Sequence, residues 1–174
     1  MAEIGIIGAG SWGTAMSVLL GKTHQVTLWV YDPEQAAEMI RHRENQQFLP
    51  GVSLPDSVRP VTEIREAMEG KDCVIIAVPS HTVRQTAEKM KPYYTGQLLV
   101  NISKGLEEGT LLRLSQVVTQ VIPDAKVAVM SGPSHAEEVG RGIPTTNVVA
   151  CEDLALAKRV QDLVMSPAFR VYTN

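Results

Sequence analysis

Short apolar runs alternate along the chain with longer stretches in which apolar residues recur at helical spacing. The apolar runs are four to six residues long, too short for a helix and typical of a buried strand. They predict strands over residues 4–7, 25–30, 73–78, 98–102, 127–130, 148–151 and 169–172. The amphipathic stretches predict helices over residues 11–21, 33–43, 62–70, 81–90, 110–122 and 154–165, with a short helix ending at Val139. This alternation predicts an α/β fold, doubly wound around a mainly parallel sheet, in one domain that spans residues 1–174.

The first strand runs directly into a glycine-rich turn, residues 8–13 (Gly-Ala-Gly-Ser-Trp-Gly), and the first helix follows at once. Gly8 permits the tight turn, Gly10 permits close approach of the backbone to a phosphate, and Gly13 permits close packing of the helix. The helix from Ser11 directs its free N–H groups and its positive dipole end at the same phosphate. A strand, this turn and a helix in that order predict the pyrophosphate site of a dinucleotide in a Rossmann-like fold.

The second predicted strand ends at Tyr31-Asp32-Pro33, and Asp32 lies 19 residues after Gly13. At about this distance an acidic residue accepts hydrogen bonds from the adenosine ribose of a dinucleotide. A carboxylate there repels the 2′-phosphate of NADP, so Asp32 favours NAD as the cofactor. Asp-Pro is also a good N-cap and first-turn pair for the helix that follows, and both interpretations can hold together.

Periodicity fails over residues 44–60, and residues 45–55 contain two prolines and a glycine. A loop of this length inside a compact domain is usually functional or marks a missed element. Phe48 has two interpretations here. Phe48 either anchors the loop to the core, which is the favoured interpretation, or contacts the cofactor. We therefore keep Phe48 as a candidate for cofactor binding.

Ligands in open α/β sheets bind beyond the carboxyl ends of the strands, which makes the residues after each predicted strand candidates. Val78 ends the most apolar predicted strand, which is expected to lie centrally, and Pro79 and Ser80 follow it. Ser80 is equally well interpreted as the cap of the next helix. We expect Val78, Pro79 and Ser80 to line the cofactor cleft.

Two later strand ends carry further polar candidates. Lys104 follows the strand over 98–102 and can bring a positive charge to the cleft. Residues 131–136 join another strand to a helix and can present N–H groups to an oxygen-rich ligand. His135 lies in this turn, but no neighbour in sequence orients it, so a solvated position is favoured over general-acid catalysis.

Composition and charge exclude several classes of protein. The 174 residues carry a formal charge of −3 and no cluster of Lys and Arg with interleaved aromatics, so no nucleic-acid partner is expected. No targeting segment and no apolar run near eighteen residues is present, so we expect a cytoplasmic protein without membrane insertion. Cys73 and Cys151 are expected to be buried and reduced, and metal-ligand spacing is absent. His24 is interpreted as a solvated surface residue.

With these motifs in hand, the chain resembles the N-terminal half of the bacterial NAD(P)-dependent glycerol-3-phosphate dehydrogenases. The resemblance extends over essentially the whole chain. It rests on the segments 8–15, 28–29, 48–51, 54–55, 103–107 and 130–136, together with Asn45. The glycine turn occurs in many families, whereas this combination in this order is specific.

The resemblance implies reduction of dihydroxyacetone phosphate to glycerol 3-phosphate with hydride from a nicotinamide, NAD or NADP. It implies that Ser11 and Trp12 contact the pyrophosphate and that Ala136 lies against the cofactor. It implies that Lys104 reaches cofactor and substrate and assists at the carbonyl, while Gly132 and Ser134 touch the substrate. Many relatives have an arginine or histidine where this chain has Tyr31-Asp32, a departure that favours NAD.

The family's catalytic lysine and its groups for the substrate phosphate belong to a helical C-terminal domain, expected to begin after Asn174. The resemblance therefore implies that this chain is the cofactor-binding half of an enzyme and contains no catalytic residue of its own. We expect this chain to bind NADH without turnover. We also expect the full-length protein to be able to form a homodimer.

Two other classes of function start from the same turn. A 3-hydroxyacyl-CoA or ketopantoate reductase shares the fold, but the former needs a His/Glu pair, and neither His81 nor His135 has a convincing setting. A dinucleotide-sensing domain needs no chemistry. Such a sensor has no reason to place Lys104 and the small polar residues 132–136 beside the nicotinamide, and this disfavours it.

Overall fold

The computed structural model describes all residues, Met1–Asn174, as one eight-stranded sheet with seven α-helices. The strands are β1 (Glu3–Ile7), β2 (Gln25–Trp29), β3 (Val58–Val61), β4 (Cys73–Ile76), β5 (Leu98–Asn101), β6 (Val127–Ser131), β7 (Thr145–Ala150) and β8 (Phe169–Thr173). The helices are α1 (Ser11–Leu20), α2 (Pro33–His42), α3 (Ile64–Met68), α4 (Val83–Met90), α5 (Leu114–Val121), α6 (Ala136–Gly140) and α7 (Leu154–Val164). Short 3₁₀ turns cover Ser80–Thr82 and Lys91–Tyr93. No helix is both long and apolar enough to cross a membrane.

The strand order is β3-β2-β1-β4-β5-β6-β7-β8, and every neighbouring pair is parallel except β6 and β7. The predicted α/β fold with a mainly parallel, Rossmann-like sheet is confirmed. From β1 the chain first moves outward to β2 and β3, and then returns to β4 on the other side of β1. The carboxyl ends of β1 and β4 therefore flank a topological switch point, where sheets of this kind leave a crevice.

Helices cover both faces of the sheet because neighbouring strand residues point to opposite sides. Ile6 belongs to the core under α1, α2 and α7, whereas Ile7 belongs to the core under α3, α4 and α5. All four residues of β4 are buried, as expected for a central strand, and they read as a continuous apolar run. Because a hydrophobic core packs on each face of the sheet, the strand ends that form the crevice are held in place.

Three local predictions were wrong. Strand β3 lies at the end of the aperiodic segment and was not predicted, because it is short and contains Pro60. Proline is accommodated only at the edge of a sheet, which is where β3 lies. The helix predicted from residue 110 begins at Leu114, because Leu111 has a left-handed backbone with φ of 57°. Ser80 caps no helix and lies in the 3₁₀ turn before α4.

His24 is not the solvated surface residue that was predicted. Its ring is half-buried, its Nδ1 accepts a hydrogen bond from the Ala2 backbone at 3.2 Å, and its Nε2 donates to the Leu163 carbonyl at 2.9 Å. The imidazole thus joins the start of β1 to the end of α7. Its role is structural and lies away from the strand ends that carry the site.

The two thiols differ in accessibility. Cys73 is buried as predicted, with 2% of its surface exposed, whereas Cys151 is only half-buried. Burial raises the pKa of the Cys73 thiol to about 12, so almost none of it is the reactive thiolate near neutral pH. We expect a disulfide reagent to modify at most Cys151 in the folded protein, with Cys73 reacting only in denaturant. Two rapidly reacting thiols before unfolding, or one in a Cys151→Ser variant, would contradict this.

Candidate functional site: the crevice at the ends of β1 and β4

The glycine turn has the geometry that its three glycines predict. Gly8 has a φ of 112°, and a Cβ there would lie 2.8 Å from the Ala77 carbonyl oxygen. A Cβ on Gly13 would lie 1.9 Å from the Gly8 carbonyl oxygen, so only glycine lets α1 pack this closely on the turn. A Cβ on Gly10 would meet no protein atom within 4 Å. Gly8 and Gly13 shape the turn, and Gly10 faces open space.

The first turn of α1 presents donors without protein partners. Gly10 is the N-cap and has no side chain to satisfy the N–H groups of Ser11, Trp12 and Gly13, while the Thr14 N–H already bonds to the Gly10 carbonyl at 3.0 Å. Free N–H groups and the positive end of the helix dipole favour an anion at this position. The turn can therefore bind a phosphate through its backbone alone.

A cavity of about 860 Å³ extends from this turn along the carboxyl ends of the strands. Its lining comes from the segments that follow β1, β2, β4, β5 and β6, from the loop before β3, and from one face of α4. The predicted candidates that line it are Gly8, Gly10, Ser11, Trp12, Tyr31, Asp32, Phe48, Val78, Pro79, Lys104, Ser134 and Ala136. Residues from the end of β1 to the start of α6 thus line one cavity.

Three candidates do not line this cavity. Gly13 lies behind the turn, where its role is packing. Gly132 packs on β7: a Cβ there would lie 2.6 Å from the Thr146 carbonyl oxygen and 2.7 Å from Asn147 Oδ1. Gly132 therefore has a steric reason to be glycine, and its expected contact with the substrate stays a prediction. Ser80 was predicted to line the cleft and does not, although Pro79 before it and Thr82 in the same 3₁₀ turn do.

Asp32 caps α2 as predicted, and it also lines the cavity. Its Oδ1 accepts a hydrogen bond from the Glu34 N–H at 2.9 Å. Tyr31 beside it is exposed, and its ring meets the Trp29 ring edge-on with 6.1 Å between centroids. The cap holds the Asp32 carboxylate in a defined position at the start of α2.

Phe48 is not the predicted anchor of its loop. It is 38% exposed and lines the cavity, whereas the adjacent Leu49 is 1% exposed and does the anchoring. The loop is further held by Asn45, whose Nδ2 donates to the Ala9 carbonyl at 2.9 Å and to Thr14 Oγ1 at 2.8 Å. Gln35 Nε2 donates to the same carbonyl at 2.8 Å. Asn45 and Gln35 brace the glycine turn, a role that reasoning from the sequence missed.

Lys104 is a free cation on the opposite wall. It is exposed, lines the cavity and has no carboxylate within 4.0 Å. The nearby Glu107 is engaged elsewhere, since Arg84 donates to its two oxygens at 2.7 and 2.8 Å. These bonds, with one from Thr110, lower the pKa of Glu107 to about 2, so it stays paired with Arg84. The Lys104 ammonium is left available to a ligand.

The turn from β6 into α6 completes this end of the cavity. Ser134 is buried, and its hydroxyl lies 3.4 Å from Asn147 Oδ1 and 3.5 Å from the Gly132 carbonyl oxygen. His135 lines the cavity, but no hydrogen bond orients its ring, and it caps α6 without a side-chain bond. Lys104 and Ser134 are thus among the polar residues that line the cavity here, together with Ser103, His135 and Glu137. No cluster of His, Cys, Asp and Glu is suited to a metal ion.

The chain is similar to known proteins in sequence and in fold. The model of the NAD-dependent glycerol-3-phosphate dehydrogenase N-terminus matches residues 3–157. The glycerol-3-phosphate dehydrogenase (NAD(P)+) of Moorella thermoacetica is 51% identical over 99% of this chain and 52% of its own length. That of Desulfitobacterium hafniense is 49% identical over 100% of this chain and 50% of its own length. The crystal structure of glycerol-3-phosphate dehydrogenase from Coxiella burnetii superposes with a TM-score of 0.94 at 32% identity, covering 99% of this chain and 54% of that one. The chain thus spans about half the length of the curated relatives it matches.

Proposed function

Because the chain belongs to the NAD-dependent glycerol-3-phosphate dehydrogenase family, we propose that it is the NAD(P)-binding part of such an enzyme. The observation that carries the proposal is a single cavity with two chemically different ends. One end has the free N–H groups of α1 and the Asp32 carboxylate, which suit a pyrophosphate and a ribose. The other end has the free ammonium of Lys104 beside Ser134, which suits a carbonyl substrate.

The open space at Gly10 supports a cofactor that lies directly on the turn, since no protein atom approaches the position of a Cβ there. In this proposal the Ser11 and Trp12 N–H groups bind the pyrophosphate, and Asp32 accepts bonds from the adenosine ribose. Phe48, Pro79 and Ala136 contact the cofactor along the cavity wall. Gly8 and Gly13 act through the shape of the turn.

The bound cofactor supplies a hydride from C4 of its nicotinamide ring. Transfer of that hydride to the carbonyl carbon of dihydroxyacetone phosphate would place negative charge on the carbonyl oxygen, and a proton from water would complete the alcohol. Lys104 lies free in the same cavity, where its positive charge would stabilise this negative charge. Ser134 binds the substrate through its hydroxyl. The chain spans about half the length of the relatives it matches, and we propose that the remaining catalytic and phosphate-binding groups belong to the other half of such an enzyme.

In the full-length protein the product, glycerol 3-phosphate, supplies phospholipid synthesis in the cytoplasm. We also predict that the full-length protein can form a homodimer and that residues 1–174 form a single domain.

The test of this function is an assay of NADH oxidation at 340 nm with dihydroxyacetone phosphate as substrate. We expect the full-length protein to oxidise NADH with this ketone, and this chain alone to bind NADH without turnover. Ketopantoate serves as the comparison substrate, because a ketopantoate reductase shares the fold. Reduction of ketopantoate in preference to dihydroxyacetone phosphate by the full-length protein, or ketone reduction by this chain alone, would contradict the proposal.

Replacing Asp32 by asparagine separates the two functions of this residue. Asparagine caps helices about as well as aspartate, so we expect the stability of the Asp32→Asn variant to change little. Its affinity for NADH should fall about tenfold, since a hydrogen bond to a charged group is worth about 1.5–3 kcal/mol. Preference for NADH over NADPH should fall with it, as measured by titration of each cofactor. An unchanged preference would reduce Asp32 to a helix cap.

A further inference from the structure

The cavity is lined by two basic side chains of the lysine or arginine type, and only one of them lies at the Asp32 end. Lys104 follows β5 on the wall shared with Ser134. Lys89 comes from the last turn of α4 and reaches the cavity beside Tyr31, the neighbour of Asp32. The proposed adenosine end thus contains one carboxylate and one ammonium, brought there by different elements.

The position of Lys89 is set by an aromatic ring rather than by an ion pair. Its Nζ lies 5.4 Å from the centroid of the Tyr31 ring, within the range of a cation–π contact. The Tyr31 ring is itself braced edge-on by Trp29, whose Nε1 donates to the Thr62 carbonyl at 2.9 Å. No carboxylate lies within 4.0 Å of Lys89, so its charge is not neutralised by the protein.

These two charges act oppositely on the group that distinguishes NADP from NAD. A 2′-phosphate on the adenosine ribose carries nearly two negative charges, which the Asp32 carboxylate repels. The Lys89 ammonium attracts the same phosphate and offers three N–H donors for it. The ribose of NAD has a neutral hydroxyl at this position, for which Asp32 is a partner and Lys89 is not needed.

We propose that Lys89 is a specificity-determining residue that allows this site to bind the 2′-phosphorylated dinucleotide in spite of Asp32. The inference rests on the proposed function, since it assumes that the cavity binds a dinucleotide with its adenosine beside Asp32. It predicts a dual-cofactor site in which Asp32 supports NADH, Lys89 supports NADPH, and the ratio of the two affinities depends on both.

The test is a titration of the Lys89→Met variant with NADH and with NADPH at a fixed ionic strength of about 0.15 M, where the Debye length is about 8 Å. Methionine keeps the length and apolar stem of lysine, and Lys89 is exposed, so the variant should fold normally. We expect NADPH to bind about tenfold more weakly and NADH to bind within twofold of the unmodified chain. The Lys89→Arg variant, which keeps the positive charge, should retain most of the NADPH affinity.

A matched control is Lys91→Met, which removes the same charge two residues away and outside the cavity. It should leave both affinities within twofold, because long-range electrostatics alone is screened at this distance from the site. Binding of 2′,5′-ADP and 5′-ADP offers a second comparison free of the nicotinamide, and only 2′,5′-ADP should weaken in Lys89→Met.

The outcomes separate the inference from the proposed function. If the unmodified chain binds neither NADH nor NADPH, the proposed function fails. If it binds both and Lys89→Met leaves their ratio unchanged, or if Lys91→Met lowers NADPH binding as much, only the role of Lys89 is overturned. Binding of NADH with no measurable NADPH binding by the unmodified chain also overturns that role.

Discussion

A Gly10→Ala variant is expected to remain folded and to lose most of its affinity for NADH. The added methyl group would meet no protein atom within 4 Å, so the protein itself does not oppose it. It would, however, occupy the open space through which the turn approaches the proposed pyrophosphate. Loss of one charge-assisted hydrogen bond at this position costs about 1.5–3 kcal/mol, which corresponds to about tenfold to a hundredfold weaker binding.

The measurement is a fluorescence titration with NADH, accompanied by a thermal unfolding curve of the same sample. An alanine at an N-cap should lower stability by no more than about 1 kcal/mol, so the two curves separate loss of binding from loss of structure. A folded Gly10→Ala variant with unchanged affinity would show that the cofactor does not lie on this turn.

The Gly13→Ala variant is expected to have the opposite pattern, a large loss of stability. Alanine inside a helix normally stabilises it by about 1 kcal/mol relative to glycine. Here the new Cβ would lie 1.9 Å from the Gly8 carbonyl oxygen, a backbone atom that cannot rotate away. Helix α1 would have to shift from the sheet, and overpacking of this kind costs about 1–3 kcal/mol, occasionally more.

Urea denaturation measures this effect, and we expect the free energy of unfolding to fall by about 2–3 kcal/mol. Gly10→Ala is the matched control, because it adds the same methyl group to the same turn, three residues earlier. A Gly13→Ala variant as stable as the unmodified chain would mean that α1 packs less closely on β1 than the structure describes.

Most of the fold could be predicted because the elements that pack on the sheet carry clear periodic patterns. The apolar run at the start of the chain gave β1, and the one around Ile75 gave the buried β4. Strand β3 could not be predicted, since Pro60 is tolerated there only because β3 lies at the edge of the sheet. The start of α5 was missed because the apolar spacing continues through Leu111, whose left-handed backbone leaves no trace in the pattern.

Residues of the site were predictable where they follow strands. Parallel strands end at a common edge, so Pro79, Lys104 and Ser134 could be expected to meet around the glycine turn. Asn45 bonds to a carbonyl 36 residues earlier, a contact that depends on how the loop folds back. Lys89 is likewise one of several charged residues along its helix, and only the packing of α4 beside Tyr31 distinguishes it. The pattern of neighbouring residues does not predict contacts between residues that are far apart in the sequence.

The central claim is that this chain binds a nicotinamide dinucleotide in the crevice between β1 and β4. The measurement that tests it most directly is a titration of the chain with NADH and separately with NADPH, following the fluorescence of the reduced nicotinamide. We predict saturable binding of both, with NADH preferred because of Asp32. Absence of saturable binding for either cofactor would contradict the claim.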